Sequence, residues 1–168
     1  MKQRITIAID GFSACGKSNL AKAVAAELGY SFIDSGAMYR GAALFFYRKG
    51  FVSEEHMDLK GIYSVIDQLT LSFRLIDDKN CLFLNDENID EEIRQAHVAA
   101  IVSKVATIKA VRVQLVKQQQ EMGRLGGIVM DGRDMGSVVF PNAELKLFVT
   151  ANQDIRVKRR LYDIKEKG

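Results

Sequence analysis

The spacing of hydrophobic residues predicts strands that alternate with helices in the first part of the chain. Over residues 4–10, isoleucines alternate with small or polar residues, a pattern typical of a β-strand. From Lys17 onward, apolar residues recur every four positions and predict an amphipathic helix that ends at Gly29. A second short strand is expected over residues 30–33, and a second helix over residues 37–47.

A different pattern follows in the middle of the chain. Residues 69–75 alternate between apolar and polar, a turn-forming cluster follows, and residues 81–84 are mainly apolar, which predicts a β-hairpin. The long helical region after it is expected to divide near Thr107, the expected N-cap of its second helix, and to end at Gly123. The last part of the chain predicts two strands and a basic helix, over residues 128–131, 145–149 and 153–167.

Together these elements predict an α/β fold with an insert. Strands that alternate with helices are typical of a mainly parallel sheet with flanking helices. The hairpin region interrupts this alternation, so we expect it to form a small lobe. A length of 168 residues suits one domain with such an insert and is short for two full domains.

The composition excludes several classes of protein. A hydrophobic fraction of 48% with 27% charged residues excludes a disordered or fibrous chain. Two cysteines that lie far apart form no disulfide framework and favour a reducing compartment, so the cytoplasm is expected by default. Two histidines argue against a histidine-rich metal site. No apolar run approaches the ~18 residues of a membrane span. The net charge of +3 does not by itself indicate nucleic acid, because small anions suit it equally well.

A glycine-rich loop between the first strand and the first helix carries the strongest functional signal. It matches the pattern G-x-x-x-x-G-K-[ST], in which backbone N–H groups and a helix N-terminus bind phosphate. The lysine of this pattern reaches the β- and γ-phosphates, and the next hydroxyl ligates Mg²⁺. GTPases, ATPases and small-molecule kinases share the pattern, so it indicates a nucleoside triphosphate but no particular reaction. The candidate residues are Gly11, Phe12, Ser13, Ala14, Cys15, Gly16, Lys17, Ser18 and Asn19.

A polar cluster begins where the second predicted strand ends. Asp34, Ser35, Tyr39 and Arg40 lie in this segment, and ligands of open α/β sheets bind outside the carboxyl ends of the strands. The guanidinium of Arg40 suits bidentate binding of a phosphate. The alternative is an ordinary helix start, with Ser35 as the cap and Arg40 in solvent.

A second cluster follows the predicted strand over residues 128–131. Asp131 ends an apolar run, as does the carboxylate that holds a Mg²⁺-bound water in many P-loop proteins. Arg133 and Asp134 then lie on the same edge of the predicted sheet. The alternative is a turn that carries a surface ion pair.

The last predicted helix carries several cations. Arg156, Arg159 and Arg160 are three or four residues apart and so share one helix face. Such cations neutralise the charge that develops during phosphoryl transfer. The alternative is a solvated basic face.

Several segments of the chain resemble bacterial cytidylate kinases, a family of P-loop nucleoside monophosphate kinases. They stand in the family's order and include IDGFSACGKSNLAKAVAAELG, FIDSGAMYRGAAL, GGIVMDGRDMGSVVFPNAELKLFVTA and RVKRRLYDIKEKG. The resemblance implies a P-loop parallel sheet with a small insert that binds the nucleoside monophosphate. It implies transfer of the ATP γ-phosphate to CMP or dCMP with Mg²⁺, by a cytoplasmic monomer that uses neither nucleic acid nor a membrane as a partner.

The resemblance also implies roles for single residues and for the parts of the chain. Residues 1–36 and 103–168 would form the P-loop core with the start of a mobile lid, and residues 37–102 the insert. Lys17 would act in catalysis with the lid arginines Arg156, Arg159 and Arg160. The acceptor phosphate would be bound by Ser13, Arg40 and Arg133, the cytosine by Ser103, Arg112 and Asp134, and Asp34, Ser35 and Tyr39 would lie in the same acceptor site.

The sequence departs from the family pattern in two places. Asn19 follows Ser18 where many members have threonine, but the Mg²⁺-binding hydroxyl of Ser18 is kept. Family members are expected to continue beyond the position of Gly168 through the rest of the lid, a further strand and a closing helix. Two alternatives therefore stay open, namely another small-molecule P-loop kinase and an inactive nucleotide-binding fragment.

Overall fold

The structure is a computed structural model that describes residues 4–77 and 79–167, and it confirms the α/β class. The helices are α1 (Lys17–Leu28), α2 (Ser35–Arg48), α3 (Leu59–Val65), α4 (Ala96–Ala106), α5 (Lys109–Gly123) and α6 (Gln153–Lys167). The strands are β1 (Thr6–Gly11), β2 (Ser31–Asp34), β3 (Leu71–Ile76), β4 (Lys79–Leu84), β5 (Glu87–Asn88), β6 (Ile128–Gly132) and β7 (Leu145–Val149).

The contacts divide the chain into two compact units. The first comprises Met1–Asp34 and Met122–Gly168, and the second comprises Ser35–Glu121. The sequence led us to expect boundaries after residues 36 and 102 instead. The second boundary lies later because α4 packs against α2, and because Gln118 of α5 forms hydrogen bonds with the backbone of Leu69 and Leu71, all inside the second unit.

A parallel sheet forms the centre of the first unit. Its strand order is β2-β6-β1-β7, and all three pairings are parallel, as predicted. Ile7 and Ile9 of β1 pack with Val129 of β6 and with Ala21 and Ala25 of α1. The small alanines let α1 lie close to the sheet, which places the loop before α1 at the carboxyl ends of the strands.

Helix α1 ends as its sequence predicts. Gly29 adopts the left-handed conformation with φ 63°, and its N–H bonds back to the last turn of the helix. Only glycine adopts this conformation without a steric cost, so the chain can turn there into β2.

The predicted hairpin lies in the second unit. β3 pairs with β4 in antiparallel register, and the two-residue β5 extends this sheet to three strands. Helix α2 contacts both β4 and α4. Gly41 of α2 allows this approach, since a Cβ at this position would lie 3.0 Å from side-chain methyls of both Leu71 and Leu82.

An ion-pair network supports the acidic stretch that follows the hairpin. The guanidinium of Arg48, at the end of α2, binds the carboxylates of Glu87 and Glu92. The bond to Arg48 holds the pKa of Glu87 below its usual value. The network therefore holds the end of α2 against β5 and against the short helical turn Glu92–Arg94.

Two local expectations were incomplete or wrong. The helical region divides near Thr107 as expected, but Thr107 ends α4 instead of capping α5, and its hydroxyl donates to the carbonyl of Lys104 at 2.7 Å. The seven-residue helix α3 was not expected. It is too short for a clear period and is specified by its cap, since the carboxylate of Asp58 accepts the N–H of Gly61.

None of the helices in the described part of the chain is both long enough and apolar enough to cross a membrane.

Candidate active site

The phosphate loop joins β1 to α1 and requires unusual backbone geometry. Ala14 and Gly16 both have positive φ values, of 58° and 94°. A Cβ at Gly11 would lie 2.4 Å from the carbonyl oxygen of Val149 on β7, so no larger residue fits where the loop leaves the sheet. The loop ends at the N-terminus of α1, where the first-turn N–H groups have no partner within the helix and suit an anion.

The two polar residues that begin α1 both have partners in the first unit. The ammonium of Lys17 donates to the carbonyl oxygen of Phe12 at 3.3 Å. The hydroxyl of Ser18 donates to one carboxylate oxygen of Asp131 at 2.5 Å. The fold thus brings the strand-end carboxylate of Asp131, 113 residues further along the chain, to the hydroxyl that follows the lysine of the loop.

Asp131 lies in a setting that disfavours its charge. Its side chain is only 2% exposed, and burial raises the pKa of Asp131 to about 6. The hydrogen bond from Ser18 opposes this rise in the pKa, whereas the carboxylate of Asp34 on the neighbouring strand β2 adds to it by repulsion. A buried carboxylate does not fit the alternative of a surface turn with an ion pair.

The oxygen atoms of Ser18 and Asp131 fit a magnesium ion. Mg²⁺ prefers hard oxygen ligands and is commonly held by one or two carboxylates together with nucleotide phosphates. In the residues that the structure describes, no group of three or more His, Cys, Asp or Glu side chains could hold a metal. Two oxygens fill only part of the octahedral shell that Mg²⁺ prefers, which suits a site completed by water and phosphate oxygens.

Two arginines of α6 reach the phosphate loop. Arg156 donates to the carbonyl oxygen of Ser13 at 3.1 Å, and its guanidinium lies 4.7 Å from the ring centroid of Phe12. One terminal nitrogen of Arg159 lies 3.6 Å from the position that a Cβ on Gly16 would take. Arg160 is exposed. At least two of the three predicted cations are thus beside the loop, and the helix is more than a solvated basic face.

The remaining loop residues divide into packing and exposed positions. Cys15 is buried, and its sulfur lies 3.0 Å from where a Cβ on Gly11 would be, so the side chain fills the space under the loop. Phe12 is half exposed and meets Phe148 of β7 edge to face, with ring centroids 5.6 Å apart. Asn19 is exposed on α1.

The predicted acceptor residues are divided between the two units. Arg133 and Asp134 follow β6 directly in the first unit, where Arg133 is exposed and Asp134 is half-buried. The second unit holds Ser35, Tyr39 and Arg40 on α2, Ser103 on α4 and Arg112 on α5. Ser35 is buried, Tyr39 and Arg40 are half-buried, and Ser103 and Arg112 are exposed. Ser35 is the first residue of α2 itself and does not precede it as a cap.

Comparison with known proteins decides which P-loop family the arrangement represents. A family model described as cytidylate kinase matches residues 7–168. The chain belongs to the cytidylate kinase family. A cytidylate kinase of Phocaeicola vulgatus is 51% identical over 168 residues, which are 99% of this chain and 73% of the relative. Cytidylate kinases of Parabacteroides distasonis and Flavobacterium johnsoniae are 49% and 46% identical over the same shares of both chains.

The cytidylate kinase assignment confirms the resemblance seen in the sequence. It does not favour the two alternatives, another small-molecule P-loop kinase and an inactive nucleotide-binding fragment. The chain spans about three quarters of the length of these curated relatives.

Sequence reasoning missed one residue of this cytidylate kinase core. The carboxylate of Asp10, next to the phosphate loop, accepts the backbone N–H groups of Met135 and Gly136 at 2.7 and 2.9 Å. The signal was present, because Asp10 ends an apolar strand just as Asp34 and Asp131 do. Its partners, however, lie 125 and 126 residues further along the chain, and no local pattern connects them.

Proposed function

We propose that this chain transfers the γ-phosphoryl group of ATP to CMP or dCMP, which yields ADP and the corresponding diphosphate. The observation that carries the proposal is the grouping of Lys17, Ser18 and Asp131 at the phosphate loop of a chain that belongs to the cytidylate kinase family. A phosphate oxygen of CMP forms the new bond to the γ-phosphorus. The bond from that phosphorus to the bridging oxygen breaks, and ADP leaves with its electron pair.

On the donor side, we propose that the loop residues 11–18 and Asn19 bind the ATP phosphates. The ammonium of Lys17 would give up its hydrogen bond to the carbonyl of Phe12 and donate to the β- and γ-phosphates instead. Lys17 can reach these phosphates because it is the first residue of α1. Arg156, Arg159 and Arg160 would neutralise charge on the transferred group. Support comes from the contacts that Arg156 makes with the start of the loop and from the approach of Arg159 to Gly16.

Ser18 and, through a water, Asp131 would hold the Mg²⁺ that accompanies ATP. When bound, this ion supplies positive charge that offsets the phosphate charge. The protein's own part is to fix the two oxygens beside the loop. The Ser18–Asp131 hydrogen bond holds these two side chains together.

On the acceptor side, we propose that Ser13, Arg40 and Arg133 bind the phosphate of CMP. Asp134 would accept the amino group of cytosine, while Arg112 and Ser103 would donate to its acceptor atoms, and Asp34, Ser35 and Tyr39 would line the same site. Uracil has a carbonyl in place of the amino group, which leaves the carboxylate facing an acceptor. Sites built on such hydrogen bonds reject a mismatched base strongly.

The direct test is turnover of CMP, dCMP, UMP and AMP by the full-length protein with ATP and Mg²⁺. Preferred turnover of CMP and dCMP supports the proposal. Preferred turnover of UMP or AMP overturns the cytosine assignment, and no turnover of any monophosphate overturns the kinase proposal for this protein.

Arg133→Ala tests the acceptor phosphate site. We expect the KM for CMP to rise about tenfold or more, because a charge-assisted contact to phosphate is lost, while the KM for ATP stays within about twofold. Arg124→Ala is the matched control, since this exposed arginine lies in the loop before β6. An unchanged KM for CMP in Arg133→Ala removes Arg133 from the site.

We further propose that the protein acts as a cytoplasmic monomer on nucleotides alone, without a nucleic acid or membrane partner. Both cysteines, Cys15 and Cys81, are free thiols, which suits a reducing compartment. Light scattering during gel filtration tests the monomer, because a dimer would double the measured mass.

A further inference from the structure

Asp10 makes a bidentate contact that links two parts of the first unit. It is the last residue of β1 before Gly11, the first glycine of the phosphate loop. Its Oδ1 accepts the N–H of Met135 and its Oδ2 accepts the N–H of Gly136. Both oxygens thus accept backbone donors of one segment, so Asp10 holds that segment at two adjacent residues.

The two N–H groups that Asp10 binds belong to a short helical turn, Met135–Val139. The first N–H groups of any helical turn have no partner within it and need an external acceptor. That acceptor is usually the side chain of the N-cap residue, which here is Asp134. The Asp134 side chain makes no capping hydrogen bond, whereas its carbonyl accepts the N–H groups of Val138 and Val139.

Asp10, on a strand more than a hundred residues earlier in the sequence, therefore caps this turn in place of Asp134. This matters because the proposed function gives the carboxylate of Asp134 a different task, the recognition of cytosine. Capping of the turn by Asp134 itself would point that carboxylate at its own backbone. The bond from Asp10 also fixes the backbone one residue after Asp134 and two after Arg133.

The fit between Asp10 and the turn leaves little space. A Cβ at Gly136 would lie 3.3 Å from Oδ2 of Asp10 and 3.1 Å from the side chain of Lys146. This is closer than most Cβ contacts, so Gly136 allows the backbone N–H to approach the carboxylate. A substitution on either side of the bond would disturb the same segment.

We infer that Asp10 is a positioning residue for acceptor recognition, which holds the segment 133–136 so that Arg133 and Asp134 face CMP. The inference rests on the proposed function for the identity of the acceptor. Asp10 would therefore affect the binding of the acceptor nucleotide and the selection of its base, but not the binding of ATP.

Asp10→Asn in the full-length protein tests this role. The amide keeps one acceptor, but its NH₂ group meets a backbone N–H, so one of the two bonds is lost. We expect the KM for CMP to rise about tenfold, the preference for CMP over UMP to fall by a similar factor, and the KM for ATP to change less than about twofold. A residue that only supports the fold would not change the choice of base.

Glu144→Gln is the matched control for Asp10→Asn. Glu144 also accepts a backbone N–H of β1, that of Thr6 at 2.9 Å, but at the opposite end of the strand. We expect this variant to keep the KM for both substrates and the preference for CMP. If Asp10→Asn does not fold, Gly136→Ala disturbs the same bond from the other side, and we expect the same changes in KM and base preference.

Amide hydrogen exchange separates this inference from the proposed function. Exchange at Met135 and Gly136 should be faster in Asp10→Asn than in wild type, whether or not CMP is the substrate. Unchanged exchange overturns the capping role. Faster exchange with an unchanged KM for CMP and an unchanged base preference overturns the positioning role, and a wild-type protein that does not phosphorylate CMP overturns the proposed function alone.

Discussion

Two glycines of the first unit are required for steric reasons, which differ between them. Gly11 ends β1 at the start of the phosphate loop, and Gly29 follows the last turn of α1. At Gly11 a side chain would overlap the carbonyl of Val149, whereas at Gly29 there is no atom within 4 Å of an added Cβ and only the positive φ matters. The sequence motif identifies the first glycine, and only the structure gives the reason for it.

Gly11→Ala and Gly29→Ala should therefore differ in stability. We expect Gly29→Ala to lower the free energy of unfolding by about 1 kcal/mol, the cost of a left-handed alanine. Gly11→Ala should cost more than about 2 kcal/mol and weaken ATP binding, because β7 or the loop must move. Chemical denaturation measures both variants. Equal losses of stability would show that the loop can shift away from β7 without cost.

Asp131 combines a proposed functional role with a cost in stability. Because burial disfavours its charge, Asp131→Asn should raise the melting temperature of the nucleotide-free protein at neutral pH, while Mg²⁺-dependent turnover falls at least about a hundredfold. The amide oxygen can still accept the hydroxyl of Ser18. A lower melting temperature with normal turnover would assign Asp131 to the fold and not to catalysis.

Among the secondary-structure elements, α6 connects the end of the chain to the phosphate loop. Its contact runs through Arg156, which both donates to Ser13 and stacks on Phe12. The ring of Phe12 is in turn supported by Phe148. The helix thus begins next to the loop, which is where the proposed role of its arginines in phosphoryl transfer requires it to be.

Arg156→Gln removes the hydrogen bond of Arg156 to Ser13 and its contact with the ring of Phe12, and it should lower kcat about ten- to a hundredfold, with little change in stability. Lys158→Gln is the matched control, since it removes one charge from an exposed position on the same helix. We expect Lys158→Gln to keep kcat within about twofold. Steady-state kinetics compares the two variants, and equal losses would mean that the basic helix acts only through its total charge.

For the whole molecule, binding of each nucleotide should stabilise the folded chain. At a concentration a hundred times its Kd, a ligand adds about 2.7 kcal/mol. For a chain of this size, that corresponds to a rise in melting temperature of ~5–10 °C. We expect such a rise with ATP–Mg²⁺ and, separately, with CMP. A shift with both nucleotides but no turnover would describe a binding module, and no shift with CMP would contradict the acceptor site.

The extent to which the sequence predicts this fold depends on the distance between interacting residues. Periodicity located β7 and α6 at their observed bounds and the other long helices and strands within a few residues, because each pattern lies inside one segment. The two helices around Thr107 were also expected, but the role of Thr107 was not, since its hydroxyl can serve either helix. Helix α3 was missed because its cap, Asp58, gives a weaker signal than a period does.

The site was predicted only in part for a similar reason. Lys17 and Ser18 belong to a local motif, so their type and spacing were enough to predict phosphate and Mg²⁺ binding, which stays a prediction. The bonds of Asp10 to Met135 and of Arg156 to Ser13 span 125 and 143 residues. No spacing rule specifies such pairs, because they depend on how the parallel strands are ordered in the sheet.

Local chemistry in the chain was sufficient for the α/β class, the phosphate loop, the strand-end carboxylates and the resemblance to cytidylate kinases. Backbone preferences and side-chain periods act over a few residues, so they can be recognised in the sequence alone. The order β2-β6-β1-β7, the burial that raises the pKa of Asp131, and the capping of a distant turn by Asp10 were decided by the tertiary structure. Burial and long-range hydrogen bonds exist only after remote segments have packed together.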